Sequence, residues 1–338
     1  MRSIAPPGSR SSPPRHNELM LFDLIRACRR FLGRVTGREA KRLKTRIGAL
    51  RVELATQRES TMHLDALHQE ALGRLQQLTA PAHLVDYSTL LPLAENALGM
   101  FPGAWSSTLP NAVGPGTVPL FEDHRITWLT ENLGDITGWR ILELGPLEGG
   151  HTYMLEQAGA KVTAIEGNHD SFLRCLITKN YLGMNSKFVL GDFAKSFGDV
   201  KDLDLVLASG VLYHMTQPVD LLQKIAAISN RLFLWTHYYH PDISLWSESV
   251  RPLVGTKWRP DLMETVRVGD LDVRIVPQSY GEALGWEGFC GGPEAHSNWI
   301  YRDDMLQLLK NLGFINIEVT FEHIDHPNGP AFCVLAQK

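Results

Sequence analysis

Three carboxylates close short apolar runs in this chain: Glu143 in RILEL, Glu166 in KVTAIE, and Asp192 just past SKFVL, in GDF. In a doubly wound α/β sheet, ligands bind at the carboxyl ends of the strands, so side chains there are placed to touch them. Glu166 suits both hydroxyls of a ribose. Asp192 suits the amine of an adenine, with Phe193 beside its ring. Ser209 closes a fourth run, LDLVLAS, and Tyr213 and His214 follow within about one helical turn. Histidine is the side chain whose ordinary pKa, about 6.5, lets it take a proton at neutral pH, so His214 is the first candidate base and His237 the second. The nearby Tyr213 completes the candidate catalytic set. His237 and His240 have a spacing that suits a metal on a helix. They follow a strand, however, and no carboxylate in a matching pattern completes a site, so no metal is expected.

The turn between the first run and the next helical stretch, GPLEGGHT, carries Gly145, Gly149 and Gly150. Gly145 and Gly149 allow a tight strand-to-helix turn under a ligand. The dinucleotide fingerprint GxGxxG is absent, with Leu147 in its middle position. A pyrophosphate needs a helix N-terminus free of negative charge, whereas Glu143 and Glu148 bring carboxylates to this turn. The site therefore suits a cation, and S-adenosyl-L-methionine, with its adenosine, ammonium and sulfonium, fits Glu166, Asp192 and an acidic first loop better than a nicotinamide dinucleotide does.

These residues presuppose strands at Arg140–Leu144, Lys161–Glu166, Ser186–Leu190, Leu203–Ser209 and Arg231–Thr236, with helices between them, the pattern of a parallel sheet. Near the C-terminus the pattern is helix (YRDDMLQLLKNLGF), strand (INIEVTFEHI), turn (HPNGP) and strand (AFCVLAQK). With these pieces in place, Leu142–His237 resembles a class I S-adenosylmethionine-dependent methyltransferase. GVLYH followed by QPVDLL is similar to the tRNA uridine carboxymethyltransferase branch, in which the first motif also runs into a histidine, here His151. The resemblance implies a Rossmann-like sheet of seven strands with the last one antiparallel, and methyl transfer from S-adenosylmethionine. We expect an oxygen of a small-molecule or glycan acceptor to receive the methyl group. The alternatives are a tRNA- or RNA-modifying transferase, and a non-catalytic cofactor-binding scaffold acting through its helical arm.

The substrate side is expected from two further stretches. SYGEALGWEGFCGGPEAHSNWIYRDD offers Trp286, Phe289, His296 and Trp299 as flat pocket walls, and FEDHRITWL offers Arg125 and Trp128 as a lid or as packing.

The chain has 338 residues, 44% hydrophobic and 21% charged. No apolar run approaches the roughly 20 residues of a membrane span. Cys28, Cys175, Cys290 and Cys333 lie far apart, with no CxxC pair, and no secretory leader is apparent, which points to the cytoplasm. Charge is uneven: residues 1–58 hold 14 Lys+Arg against 4 Asp+Glu, and the remainder 19 against 33. We expect a disordered tail at 1–17, a basic helical, coiled-coil-like segment at 18–79, a Pro- and Gly-rich cap or linker at 80–135, and the catalytic domain at 136–338 with a substrate-side insertion at 241–298. The seam of Leu43, Ile47, Leu50 and Leu54 fits a homodimer, a fold-back near Glu59–Thr61, or packing on the body. The basic arm suits an anionic surface, membrane or RNA, which would make the protein peripheral to a membrane in the first case.

Overall fold

The computed structural model describes residues 37–79, 87–111, 116–286 and 288–338. The expected tail at 1–17 and the basic stretch up to Thr36 lie outside the described residues. The chain divides into two compact units, Met1–Thr89 and Leu90–Lys338.

In the first unit a single helix, α1 (Arg38–Thr79), runs without interruption. The expected fold-back at Glu59–Thr61 does not occur. No Pro stands there and Gly48 is the nearest Gly before it, so nothing removes a hydrogen bond from the helix ladder. Leu43, Leu50 and Leu64 are exposed on it. Among the described residues no helix is long and apolar enough to cross a membrane.

The second unit is built on a seven-stranded sheet. Its elements are α2 (His124–Leu133), β1 (Arg140–Leu144), α3 (Gly150–Gln157), β2 (Lys161–Glu166), α4 (His169–Leu182), β3 (Lys187–Leu190), β4 (Leu205–Ser209), α5 (Pro218–Ile228) and β5 (Arg231–His237). After these come β6 (Glu264–Val268), β7 (Leu271–Ser279), β8 (His296–Ile300), α6 (Arg302–Asn311), β9 (Asn316–His323) and β10 (Ala331–Gln337). The strand order is β3-β2-β1-β4-β5-β10-β9. Strands β1 to β5 pair in parallel, and β10 pairs antiparallel with both β5 and β9. This is the class I methyltransferase arrangement the sequence leads one to expect. β3 and β4 begin one and two residues later than expected; Leu203 forms only an isolated bridge to Ser229.

The parallel strands are covered on both faces, so they read as nearly continuous apolar runs. Leu142, Leu144, Val206, Ala208, Leu232 and Leu234 enter one core layer, and Ile141, Leu205, Leu207 and Phe233 the other. The strand order reverses between β1 and β4, which opens a crevice at their carboxyl ends.

β6, β7 and β8 form a separate antiparallel sheet that begins inside the expected insertion at 241–298 and ends two residues beyond it, at Ile300. It props the loop after β4 from outside: Asn298 on β8 donates from its backbone N–H to Met215 O (2.9 Å) and from Nδ2 to Thr216 O (2.7 Å). The segment from Leu90 onward belongs to the same unit as the large sheet. Its Trp105, Leu109 and Phe121 are buried together beside Tyr153 and Ile177 of α3 and α4.

Candidate active site

At the first strand end, Gly145 has φ +64°, and a Cβ on it would stand 2.5 Å from Val211 Cγ1, so no other residue fits without displacing the loop after β4. Leu147 adopts φ +57°, the left-handed conformation a glycine would adopt at this position, and its backbone N–H donates to Glu166 Oε2 (3.0 Å). Gly149 precedes α3 at φ +82°. Glu166, at the end of β2, also accepts from the Asn168 backbone N–H through Oε1 (2.8 Å). Asn168 in turn caps α4 by accepting from Ser171 N. Glu166 thus ties two loops together. Burial raises its carboxyl above the usual range, against the backbone N–H groups that favour the charged form.

Glu143 is buried on β1, accepts a hydrogen bond from the Thr152 hydroxyl, and is likewise raised by burial. The expectation that Glu148 adds free negative charge at the turn is corrected. Its two oxygens accept from Ser106 N (2.8 Å) and Ser107 N (2.7 Å), and Arg174 Nε lies 3.2 Å from Oε1. A fully buried carboxylate needs such partners, and here they come from the segment ahead of the sheet. Asp192 is exposed, accepts from Ala194 N (2.9 Å), and pairs with Lys195 (3.4 Å). Phe193 is buried in the main core, with Leu144 and Ile165 among the residues of that cluster.

Past β4, partly buried Ser209 is followed by Gly210 (φ +88°) and a short 3-10 turn, Leu212–His214, which holds both predicted side chains at the strand end. Tyr213 lies between the two histidines, with ring centroids 4.1 Å from His214 and 4.6 Å from His237, and burial raises its phenol. His237 is buried, stacks on Trp299 (5.0 Å, 8° between planes), and meets Trp235 and His326 edge-on. Its Nδ1 lies 2.8 Å from Gly329 O and 3.2 Å from Pro330 O. Both are carbonyl acceptors, so Nδ1 carries the proton and Nε2 is left as an acceptor. His240 Nδ1 lies 3.3 Å from Asp242 O. Among the described residues no group of three or more His, Cys, Asp or Glu side chains is arranged to hold a metal ion.

The four expected substrate residues are only partly gathered. Trp299 is buried with Trp246 and Trp258, and its face toward His237 joins the site. Trp286 is 67% exposed and folds over Gly288, and His296 is exposed at the start of β8, so neither joins Trp299. Alternation along β8 explains this, since the three residues from His296 to Trp299 put the two rings on different faces. Arg125 does reach the site: its guanidinium lies 4.7 Å over the Trp235 ring. It is held by buried Asp123, which also receives His151 Nε2 at 2.9 Å. These partners hold the Asp123 carboxyl far below the usual range despite burial. Asp123, Trp235, His326 and Tyr280, which the sequence alone did not single out, contact these side chains.

Burial lowers His214 to about 4 and His237 to about 3. A histidine lowered in the folded state binds its proton less readily than in the unfolded chain. Its contribution is therefore fully present above about pH 6.5 and is lost as pH falls toward the folded value. We expect melting temperature to drop on acidification below that point. The drop should be shallower in His237→Asn, whose amide can still donate to Gly329, by up to about 1.4 kcal/mol per pH unit. Identical pH slopes in the two proteins would contradict the buried neutral His237.

Residues 142–230 match the family profile described as a methyltransferase domain. The tRNA U34 carboxymethyltransferase of Colwellia psychrerythraea (strain 34H / ATCC BAA-681) is 29% identical over 106 residues, which is 31% of this chain and 33% of that protein. The match thus spans about a third of the length of that relative. Among solved structures, the N-terminal domain of EvdMO1 with SAH bound is 24% identical, with a TM-score of 0.53, over 72% of this chain and 94% of that one. The same domain in the presence of SAH and D-fucose is 25% identical, with the same TM-score and coverage. Together with the strand order, these findings give the second unit a class I methyltransferase fold, with the methyltransferase-domain match at residues 142–230.

Proposed function

We propose that the protein methylates a hydroxyl oxygen of a sugar or glycan-like acceptor, with His214 as the base. The observation that carries this reading is the pair of histidines at the ends of β4 and β5, both kept neutral by burial and joined through Tyr213 in a cluster of aromatic rings. An alcohol must lose its proton as it attacks, and a neutral imidazole at that spot can take it.

The donor set suits the cofactor. Of the roughly four acceptor positions of the Glu166 carboxylate, the backbone N–H groups of Leu147, Asn168 and Gly167 take up to three, which leaves room for a ribose hydroxyl. Gly145 and Leu147 shape the loop for the methionine part, and Asp192 lies at the adenine end. Phe193, buried in the core beside it in sequence, is assigned there too. S-adenosylmethionine held by these residues would supply an activated methyl group on a sulfonium whose leaving form is a neutral thioether. The remaining work of the chain is alignment, exclusion of water and removal of the proton. His214 Nε2 takes it, Tyr213 walls the acceptor, Trp299 backs the His237 ring, and Arg125 over Trp235 offers donors to acceptor oxygens. Flat rings suit the apolar face of a sugar, and the EvdMO1 domain studied with D-fucose fits the same reading.

The likeness to the tRNA U34 carboxymethyltransferase and the basic residues 1–58 favour a second reading, an RNA acceptor. Incubation of the full chain with S-adenosylmethionine carrying a labelled methyl group, and separately with a panel of deoxyhexoses and glycosides or with bulk tRNA, tests both. Label in a sugar methyl ether supports the proposal. Label in tRNA alone overturns it.

A further inference from the structure

We propose that Tyr280 and the carbonyl of Gly291 form a relay that fixes His214 in the tautomer with its proton on Nδ1, making Tyr280 a positioning residue for the base. The proposal rests on the reading of His214 as the base for its functional meaning, but the relay itself is a property of three groups in the fold.

His214 Nδ1 lies 2.8 Å from Tyr280 Oη, and Tyr280 Oη lies 2.9 Å from Gly291 O. A carbonyl oxygen only accepts, and a phenol has one proton to give. Satisfying Gly291 uses that proton, so Tyr280 Oη must accept from the histidine. Nδ1 is then the protonated nitrogen. A neutral imidazole carries one N–H, so Nε2 keeps its lone pair. His214 and His237 thus reach the same tautomer by different routes, one through a phenol and the other through main-chain carbonyls. Ser297 also hydrogen-bonds the Tyr280 hydroxyl; with its own proton on Gln278 Oε1 (2.9 Å) its oxygen can only accept there, which again leaves Nδ1 of His214 as the donor to the phenol.

The surroundings fix the relay in place. Tyr280 N donates to Ala295 O (3.2 Å), and the Phe289 ring meets the Tyr280 ring edge-on at 4.9 Å. A Cβ on Gly291 would stand 2.7 Å from Phe289 Cζ and 3.0 Å from Tyr280 Cζ, so only glycine allows the carbonyl to sit over the phenol. The relay also has a role after proton transfer. When Nε2 takes the proton of the alcohol, the Nδ1–H bond to Tyr280 and the Tyr280 bond to Gly291 polarise in series and disperse the new positive charge. A base oriented by a third group is a recurring device in proton-transfer sites.

The test reads the tautomer rather than turnover. Long-range nitrogen–proton correlation spectra of the full chain with S-adenosylhomocysteine at neutral pH, assigned by the loss of signals in His214→Ala, should show His214 as one tautomer, protonated at Nδ1. Tyr280→Phe should turn this into a mixture with a large Nε2–H fraction and remove the protected Nδ1–H resonance. Gly291→Ala should shift the population the same way. S-adenosylhomocysteine affinity within about twofold of wild type shows that each variant is folded. A wild-type signal protonated at Nε2, or an unchanged tautomer in Tyr280→Phe, overturns the relay. Failure of the base reading would appear elsewhere, as turnover retained in His214→Ala, and leaves the tautomer spectrum as it is.

Discussion

His214→Ala should lower turnover on a hydroxyl acceptor by roughly 100-fold or more while leaving affinity for S-adenosylmethionine unchanged. His214 lies in the turn directly after β4, beyond the residues that hold the first loop and Glu166. The substitution therefore removes the proton acceptor without touching the proposed ribose contact. Single-turnover measurements with a saturating donor isolate the chemical step, and calorimetric titration checks the binding. A loss of only a fewfold would move the role to His237, whose Nε2 is also free to accept. Its ring is fixed by Trp299 and two carbonyls, so it has less freedom to approach a substrate. Full turnover in both single variants would remove the base step and leave alignment of an already acidic acceptor as the source of the rate.

The features that were legible in the sequence are those encoded by short-range pattern. Buried parallel strands produce apolar runs, and IEGN and VLGDF mark strand ends because polar residues and glycine resume where burial stops. The final hairpin was readable from HPNGP between two strand-like runs. The small sheet was not singled out, although its signal was present: ETVRV and LDVRIV alternate polar and apolar residues around Gly269 and Asp270, a two-residue turn with Gly269 at φ +59°.

Other parts of the site have no local signature. Asp123 meets His151 across 28 positions and Tyr280 meets His214 across 66, separations that only the folded topology brings together. The fate of Glu148 shows the same limit. A carboxylate beside a glycine-rich turn implies charge at the ligand, yet its partners, Ser106 and Ser107, come from a segment about forty residues earlier. Glu143 and Glu166 are therefore the carboxylates left to favour a cationic cofactor. His296 and Trp286 were grouped with Trp299 by aromatic density, and strand alternation and an exposed loop separate them.

The cofactor reading depends most on Glu166. Glu166→Ala removes the acceptor for the ribose hydroxyls and also releases the Leu147 and Asn168 N–H groups that the carboxylate holds at 3.0 and 2.8 Å. Charge-assisted hydrogen bonds of this kind are worth about 1–3 kcal/mol, so affinity for S-adenosylmethionine and S-adenosylhomocysteine should fall by roughly 5- to 150-fold. Glu166→Gln keeps one oxygen and two donors of its own, and it should lose less. The pair of variants separates the two functions of the carboxylate. If the ribose contact dominates, both variants keep the wild-type melting temperature without ligand and differ only in binding. If the tie between loops dominates, melting temperature falls in Glu166→Ala, and the binding loss follows from a Leu147 turn that no longer holds its left-handed conformation. Titration calorimetry beside thermal melts distinguishes these outcomes. Undiminished affinity in Glu166→Ala would mean that the ribose lies elsewhere than at the end of β2.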